Sequence, residues 1–254
     1  MSDFGGGVAL VIGGSGGIGS AICPKLAAAG SDVALSYRSN ADAADAVAND
    51  VRALDRGAFP YQLGLDDDAA VTRVVDTAAA EHGPLHTVVY AAGPSFPMRF
   101  VSEVNAREWA AVMQADATGF FNLVHAALPH LRAADAGSLV AVTTVGLERF
   151  PARDILSVAP KAAVDALVRG IAAEEGRYGV RANSVALGVI DAGMFHRLEH
   201  GELKAEWVDA ARRNTALKRF GSADEVAEVV AFLASSRASY VTGQRIVLDG
   251  GYSI

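Results

Sequence analysis

The chain has 254 residues, 51% of them apolar and 20% charged, and 29 acids against 22 bases give a formal charge of −7. A chain this long buries about three quarters of its unfolded surface and needs no staple, and its lone cysteine, Cys23, excludes an intrachain disulfide, so a reducing, cytoplasmic setting is the economical reading. The acidic balance and the lack of any Lys/Arg run exclude a basic phosphate-binding face, and with it nucleic acid as a partner.

In chain order, the uncharged stretch from Phe4 to Pro24 follows Asp3 rather than a basic segment and is broken by eight glycines, so it is neither a signal peptide nor a membrane helix. It reads instead as a strand (Val8 to Ile12), a glycine turn, and a helix from Ile18 to Ala29 that stops at Gly30. A second strand, Val33 to Tyr37, precedes a helix over Ala41 to Arg56 with Ala44, Val47, Val51 and Leu54 on one stripe. Further strands are expected at Phe59 to Leu63, Leu85 to Ala91, Ser138 to Thr143, Arg181 to Val185 and Arg245 to Leu248. Between them, a helix over Ala106 to Leu131 aligns Trp109, Val112, Asp116, Phe120, Leu123 and Ala127, and one over Ser157 to Glu175 aligns Ser157, Lys161, Val164, Val168 and Ile171. Ser222-Ala223-Asp224-Glu225 has the form of a capping box opening the last helix. Seven mostly apolar strands alternating with helices predict one α/β domain over 1–254, a doubly wound parallel sheet covered by helices on both faces.

Gly13, Gly17 and Gly19 stand in the spacing G-x-x-x-G-x-G directly between the first strand and the first helix. A side chain there would block the tight turn and the approach of a pyrophosphate, while the helix N-terminus offers free amides to an anion. An acid at the end of the second strand would mark NAD by binding the ribose diol, but this chain has Tyr37 followed by Arg38. A guanidinium suits a 2′-phosphate, so the expected cofactor is NADP(H), with Ser15, Ser39 and Asn40 as further hydrogen-bonding residues.

The glycine turn, Ala92-Gly93 after the fourth strand, a lysine early in a long helix, Val185 to Asp191, and Asp249-Gly250-Gly251 near the end together resemble the short-chain dehydrogenase/reductase family over essentially the whole chain. The resemblance implies a single Rossmann domain with sheet order 3-2-1-4-5-6-7, a homotetramer, and hydride transfer between a nicotinamide and a carbonyl or enoyl carbon. It extends the cofactor contacts to Ile18, Leu65, Ala92, Gly93, Gly188 and Ile190, with Lys161 on the nicotinamide ribose. It also implies an Asn-Ser-Tyr-Lys active site, from which the sequence departs. With Lys161 as the family lysine, the tyrosine position is Ser157, the serine position Thr144 and the asparagine position Asp116. The position seven before the lysine, a tyrosine in enoyl-acyl carrier protein reductases, is Asp154; the usual Asn-Asn-Ala-Gly is Tyr90-Ala91-Ala92-Gly93, and an adenine-contacting aspartate is Gly64.

A phenol starts near pKa 10, within reach of a neighbouring ammonium, whereas an alkyl hydroxyl is a far weaker and shorter acid, so Ser157 does not replace a tyrosine directly. Lys161 can still place positive charge near a developing alkoxide, Thr144 can donate to a substrate oxygen, and Asp116, on an apolar stripe where a lone carboxylate is costly, is expected to pair with Lys161. Losing a general acid costs about 10²- to 10⁴-fold, less than the effective molarity of a positioned hydride donor, so catalysis survives if water or the substrate supplies the proton, or if the acceptor is an activated C=C. The segment 192–215, with Met194, Phe195, Leu198 and Trp207, is expected to cover a moderately apolar substrate together with Pro94, Phe96 and Met98. No metal site is expected. The rival expectation is a catalytically silent relative that binds dinucleotide as a sensor or as a supporting subunit.

Overall fold

Strand β1 (Val8–Ile12) is buried along its whole length, and its side chains divide by parity. Val8, Leu10 and Ile12 enter one hydrophobic cluster, Ala9 and Val11 the other. Successive strand residues point to opposite faces, so an uninterrupted apolar run is what a strand covered on both sides requires. A computed structural model describes residues 3–134, 136–199 and 205–254.

The remaining strands are β2 (Asp32–Tyr37), β3 (Ala58–Gln62), β4 (Leu85–Tyr90), β5 (Ser138–Thr144), β6 (Arg181–Leu187) and β7 (Arg245–Leu248). All pair in parallel in the order β3-β2-β1-β4-β5-β6-β7, as the family resemblance implies. Helices α1 (Gly19–Ala28), α2 (Ala41–Arg52) and α3 (Asp68–Glu81) are followed by α4 (Ala106–Met113), α5 (Gly119–Ala133) and α6 (Ile155–Glu175), then by α7 (Met194–Glu199), α8 (Ala205–Asn214) and α9 (Ala223–Ala234). Ile22, Val47 and Val230 of α1, α2 and α9 pack on the face of Ala9 and Val11; Val75, Leu123 and Val168 of α3, α5 and α6 pack on the face of Leu10. The expected capping box forms at α9: Glu225 N donates to Ser222 Oγ at 3.2 Å and Ser222 N to Glu225 Oε2 at 2.9 Å.

Two expectations are corrected. The helix over Ala106 to Leu131 forms, but its pitch is not uniform: a π-helical turn at Gln114–Thr118 joins α4 to α5. The wider turn changes the helical phase, so Trp109, placed by periodicity on the buried stripe with Asp116, is 41% exposed while Asp116 is 2% exposed. Helix α2 stops at Arg52 because Asp55 takes a left-handed backbone (φ 58°), which leaves Leu54 exposed instead of on the stripe. Asn40 caps α2, its Oδ1 accepting from Ala43 N at 3.0 Å.

The sheet order reverses direction at β1, with β2 on one side and β4 on the other. In such sheets the crevice at the carboxyl ends of the strands, at this switch point, is where ligands bind. Ile12 ends β1 opposite Tyr90, the last residue of β4.

Candidate active site

A single cleft of about 680 Å³ runs over the carboxyl ends of the strands, within the size range of cofactor sites. Arg38 lies on its wall beyond the end of β2; the turn residues Gly13, Ser15, Gly17 and Ile18 form its floor; Ala92, Gly93, Thr144, Ser157 and Lys161 lie on the β4–β5–α6 side; Gly188 and Ile190 follow β6. Leu65 also lines it. Of the sequence-derived residues, Ser39, Gly19 and Asp116 are not on the wall. Ser39 is exposed outside it, Gly19 packs beneath the turn against Gly13, and Asp116 lies behind Lys161.

The turn has the geometry that its glycines require. Gly13 adopts φ +78°, and a Cβ there would sit 3.0 Å from Ala91 O and Ala92 N of the β4 exit. At Gly17 a Cβ would fall 2.5 Å from Gly193, whose backbone closes on the turn from the β6 side. Gly13 N donates to Ser36 Oγ of β2 at 3.0 Å, which fixes the turn to its neighbour strand. Ile18, at the start of α1, supplies no side-chain cap; Ser20 N donates to Gly16 O at 2.8 Å and Ala21 N to Ile18 O at 3.1 Å, which leaves the amides of Gly17, Ile18 and Gly19 without a partner among the described residues and open to an anion. These features fit a dinucleotide: the cleft is continuous from Arg38, across uncapped amides, to Lys161.

At the other end, Lys161 Nζ donates to Asp116 Oδ1 and to Ala92 O, both at 2.9 Å. The expected Lys161–Asp116 pairing is therefore direct. Tyr90 Oη donates to the same Asp116 Oδ1 at 2.6 Å, and the ammonium lies 4.6 Å from the centre of the Tyr90 ring. The ion pair is nearly dry, with side chains 12% and 3% exposed. The π turn brings Asp116 here, since it swings the carboxylate under the β4 exit. Burial, reinforced by the adjoining Asp116 charge, pushes the Tyr90 hydroxyl well above its ordinary range, so its proton stays with the pair. Two of the three ammonium N–H bonds are spent internally, leaving one for a ligand.

Thr144 Oγ1 accepts from Gly146 N at 3.1 Å, which leaves its hydroxyl proton to donate into the cleft. Thr143 also lines the cleft, and its Oγ1 is buried without a hydrogen-bond partner among the described residues. Toward the open end the wall is formed by Pro94, Met98, Met194, Phe195 and Trp207. Phe96 is not part of it: the side chain is buried against Val112 and Leu156. The Leu198 side chain and residues 200–204 of the expected covering segment lie outside the described residues. Sequence reasoning missed Tyr90 as a partner of the ion pair, Thr143, and Asp154 on the cleft wall. Asp154 had a signal, its place two helical turns before Lys161; for Tyr90 and Thr143 the signal was only their position at strand ends.

Residues 13–253 match the family described as enoyl-(acyl carrier protein) reductase. The chain is 34% identical over 246 residues to a cis-4-hydroxycyclohexanecarboxylate dehydrogenase of Sinomonas cyclohexanicum, covering 97% of this chain and 96% of that one. It is 32% identical over 244 residues to a 3-oxoacyl-(acyl-carrier-protein) reductase of Staphylococcus epidermidis, covering 96% and 97%. The chain belongs to the short-chain dehydrogenase/reductase family. A solved family structure, a short-chain dehydrogenase from Burkholderia cenocepacia in complex with NADP, superposes with a TM-score of 0.88 at 33% identity, over 97% of each chain. The names of these relatives cover an alcohol oxidation, a ketone reduction and an enoyl reduction, so membership fixes the scaffold and leaves the acceptor open. Among the described residues no helix is long and apolar enough to cross a membrane, and no cluster of metal-ligating side chains occurs.

Proposed function

We propose that the protein is an NADP(H)-dependent oxidoreductase that transfers hydride to a carbonyl or enoyl group of a moderately apolar substrate, such as an acyl thioester, a polyketide or a steroid-like ketone, without a tyrosine acid. One observation carries this reading: a single cleft joins Arg38, the glycine turn and Lys161. Arg38 takes the 2′-phosphate with Ser39 beside it, the turn of Gly13, Ser15, Gly17 and Ile18 takes the pyrophosphate on its unpartnered amides, and Ile190, Gly188, Ala92 and Gly93 frame the nicotinamide end, with Leu65 toward the adenosine. When bound, the reduced dinucleotide supplies the hydride. The free Lys161 N–H holds the ribose, Thr144 and Ser157 donate to the acceptor oxygen, and Asp116 keeps Lys161 in place. The complex of a family member with NADP supports the choice of cofactor.

A second reading is favoured by the ion pair itself: with Asp116 neutralising Lys161 and Ser157 one turn away, the site suits a silent dinucleotide-binding sensor or supporting subunit. Titration with NADPH and NADH, followed by single-turnover NADPH oxidation against matched keto and enoyl thioesters, separates the two. Tighter NADPH binding with turnover on one acceptor is expected. Binding without turnover on any acceptor selects the second reading, and preference for NADH refutes the role of Arg38. We further propose a cytoplasmic homotetramer, supported by Phe121 and Trp109, which stand exposed on α5 and α4; a monomer in analytical ultracentrifugation would contradict it.

A further inference from the structure

Asp154 immediately precedes α6, where an aspartate ordinarily caps the helix. Here the side chain makes no cap hydrogen bond and no ion pair among the described residues; it lines the cleft instead. Asp154, Ser157 and Lys161, at i, i+3 and i+7, share one face of α6 and all line the cleft, with Asp154 about 10 Å from Lys161 along the axis. Met98, Pro151 and Met194 line the same part of the wall.

The backbone around Asp154 is pinned. Residue 154 forms a parallel bridge with Arg99, whose N donates to Arg153 O at 3.0 Å, and Arg153 itself holds a left-handed φ of 69°. Such strain persists only where its surroundings enforce it. Arg153 donates to Met98 O at 2.8 Å and lies over the Phe100 ring. The nearby charges are engaged elsewhere: Arg99 faces Glu108 at 3.2 Å, Lys161 is paired with Asp116, and His196 of α7 is paired with Asp191 at 2.8 Å. Arg197 of α7 lines the cleft but forms no ion pair with Asp154 among the described residues. A carboxyl in a partly dry wall without a counter-charge holds its proton, and burial alone pushes Asp154 up to about 7.

We propose that the Asp154 carboxyl is the proton donor of this site, delivering its proton to the acceptor directly or through one water. This rests on the reductase reading above. For a ketone, the carboxyl O–H bond breaks as the new alcohol O–H bond forms, the C=O π pair moves to oxygen, and the hydride pair of the reduced nicotinamide dinucleotide forms the C–H bond. The carboxylate then recovers a proton from solvent at the cleft mouth. Tyr90 is unavailable for this step because its hydroxyl is committed to Asp116.

The test uses the NADPH-loaded full chain with a short 3-oxoacyl thioester. D154N is expected to lower the single-turnover rate by about 10²- to 10⁴-fold, to leave NADPH affinity within about twofold, and to lack the fall in rate expected of the wild type as pH rises through about 7. Asp154→Glu, which keeps the carboxyl, is expected to recover part of the rate. A readout independent of turnover is infrared titration of the wild-type protein, in which a protonated-carboxyl band is expected to vanish near neutral pH, with no such band in D154N. Wild type that turns over while D154N matches it, or a rate loss confined to Tyr252→Phe, a tyrosine that also lines the cleft, overturns the role of Asp154 alone. A wild type with no carboxyl band near neutrality does the same. A wild type that binds NADPH and reduces nothing overturns the reductase reading, and this one falls with it.

Discussion

The two ends of the cleft are built by different means. The Arg38 end is a backbone construction: a left-handed glycine, uncapped amides and a close approach between Gly17 and Gly193. Its contribution to binding depends on what is missing at each position, namely a Cβ. The Lys161 end is a side-chain construction in which Asp116, Tyr90 and Lys161 satisfy one another, with Asp154 on the wall unpaired among the described residues. Backbone sites tolerate almost no substitution, whereas side-chain sites keep their frame while individual groups are exchanged. Under the proposed function, that difference lets the family scaffold persist around an altered proton inventory.

The comparison breaks most visibly at the ion pair. Lys161→Ala strands a carboxylate that is 2% exposed, and a loss of about 3–5 kcal/mol in denaturant-measured stability is expected. The double variant Lys161→Ala/Asp116→Ala is expected to lose clearly less than the sum of its singles, because the stranded charge goes with its partner. Additive losses would mean that the two groups are not coupled. At the opposite end, Gly17→Val would drive a side chain into the Gly193 backbone, and a fall in NADPH affinity of about 100-fold is expected from isothermal titration, together with a stability loss of about 1–3 kcal/mol in denaturant melts.

Smaller effects sharpen the contrast. Arg38→Ala should weaken NADPH by about 10- to 100-fold and leave NADH almost unchanged, since only the 2′-phosphate loses its partner; an equal loss for both would place the guanidinium elsewhere. Asp154 adds a pH signature. A carboxyl whose folded pKa is raised to about 7 withdraws stability as pH climbs from its unfolded value, near 4, through 7. D154N should therefore be more stable than wild type above pH 8, by about 1–3 kcal/mol given the water at the cleft mouth, and indistinguishable from it below pH 4. Paired thermal melts across pH check this, and parallel curves would contradict it.

The sheet was legible in the sequence because its strands are mostly apolar runs, and all seven fall within one or two residues of their observed ends, although the edge strands β3 and β7 are only partly buried. The glycine turn was legible because its spacing has a steric cause. The helix over Ala106 to Leu131 misled because periodicity assumes a constant turn, and the π insertion at Gln114–Thr118 breaks the phase. Trp109 was misplaced in consequence, while Asp116, which lies within the insertion, was placed correctly. Phe96 and Met98, two residues apart and both apolar, could not be sorted from sequence into packing and cleft wall; only the tertiary fold buries the first against Leu156 and turns the second to the cleft. Asp154 appeared as a mismatch to a motif, since burial and the absence of a partner are properties that only a fold confers.

The most direct test of the account follows the hydride itself. NADPH carrying deuterium at the transferable position of nicotinamide C4 is incubated with the wild-type protein and a panel of keto and enoyl thioesters, and the products are analysed by mass spectrometry. Deuterium on the former carbonyl carbon or on an enoyl carbon of one acceptor is the predicted result. Unlabelled, unreduced acceptors recovered from protein shown to be saturated with NADPH would contradict it.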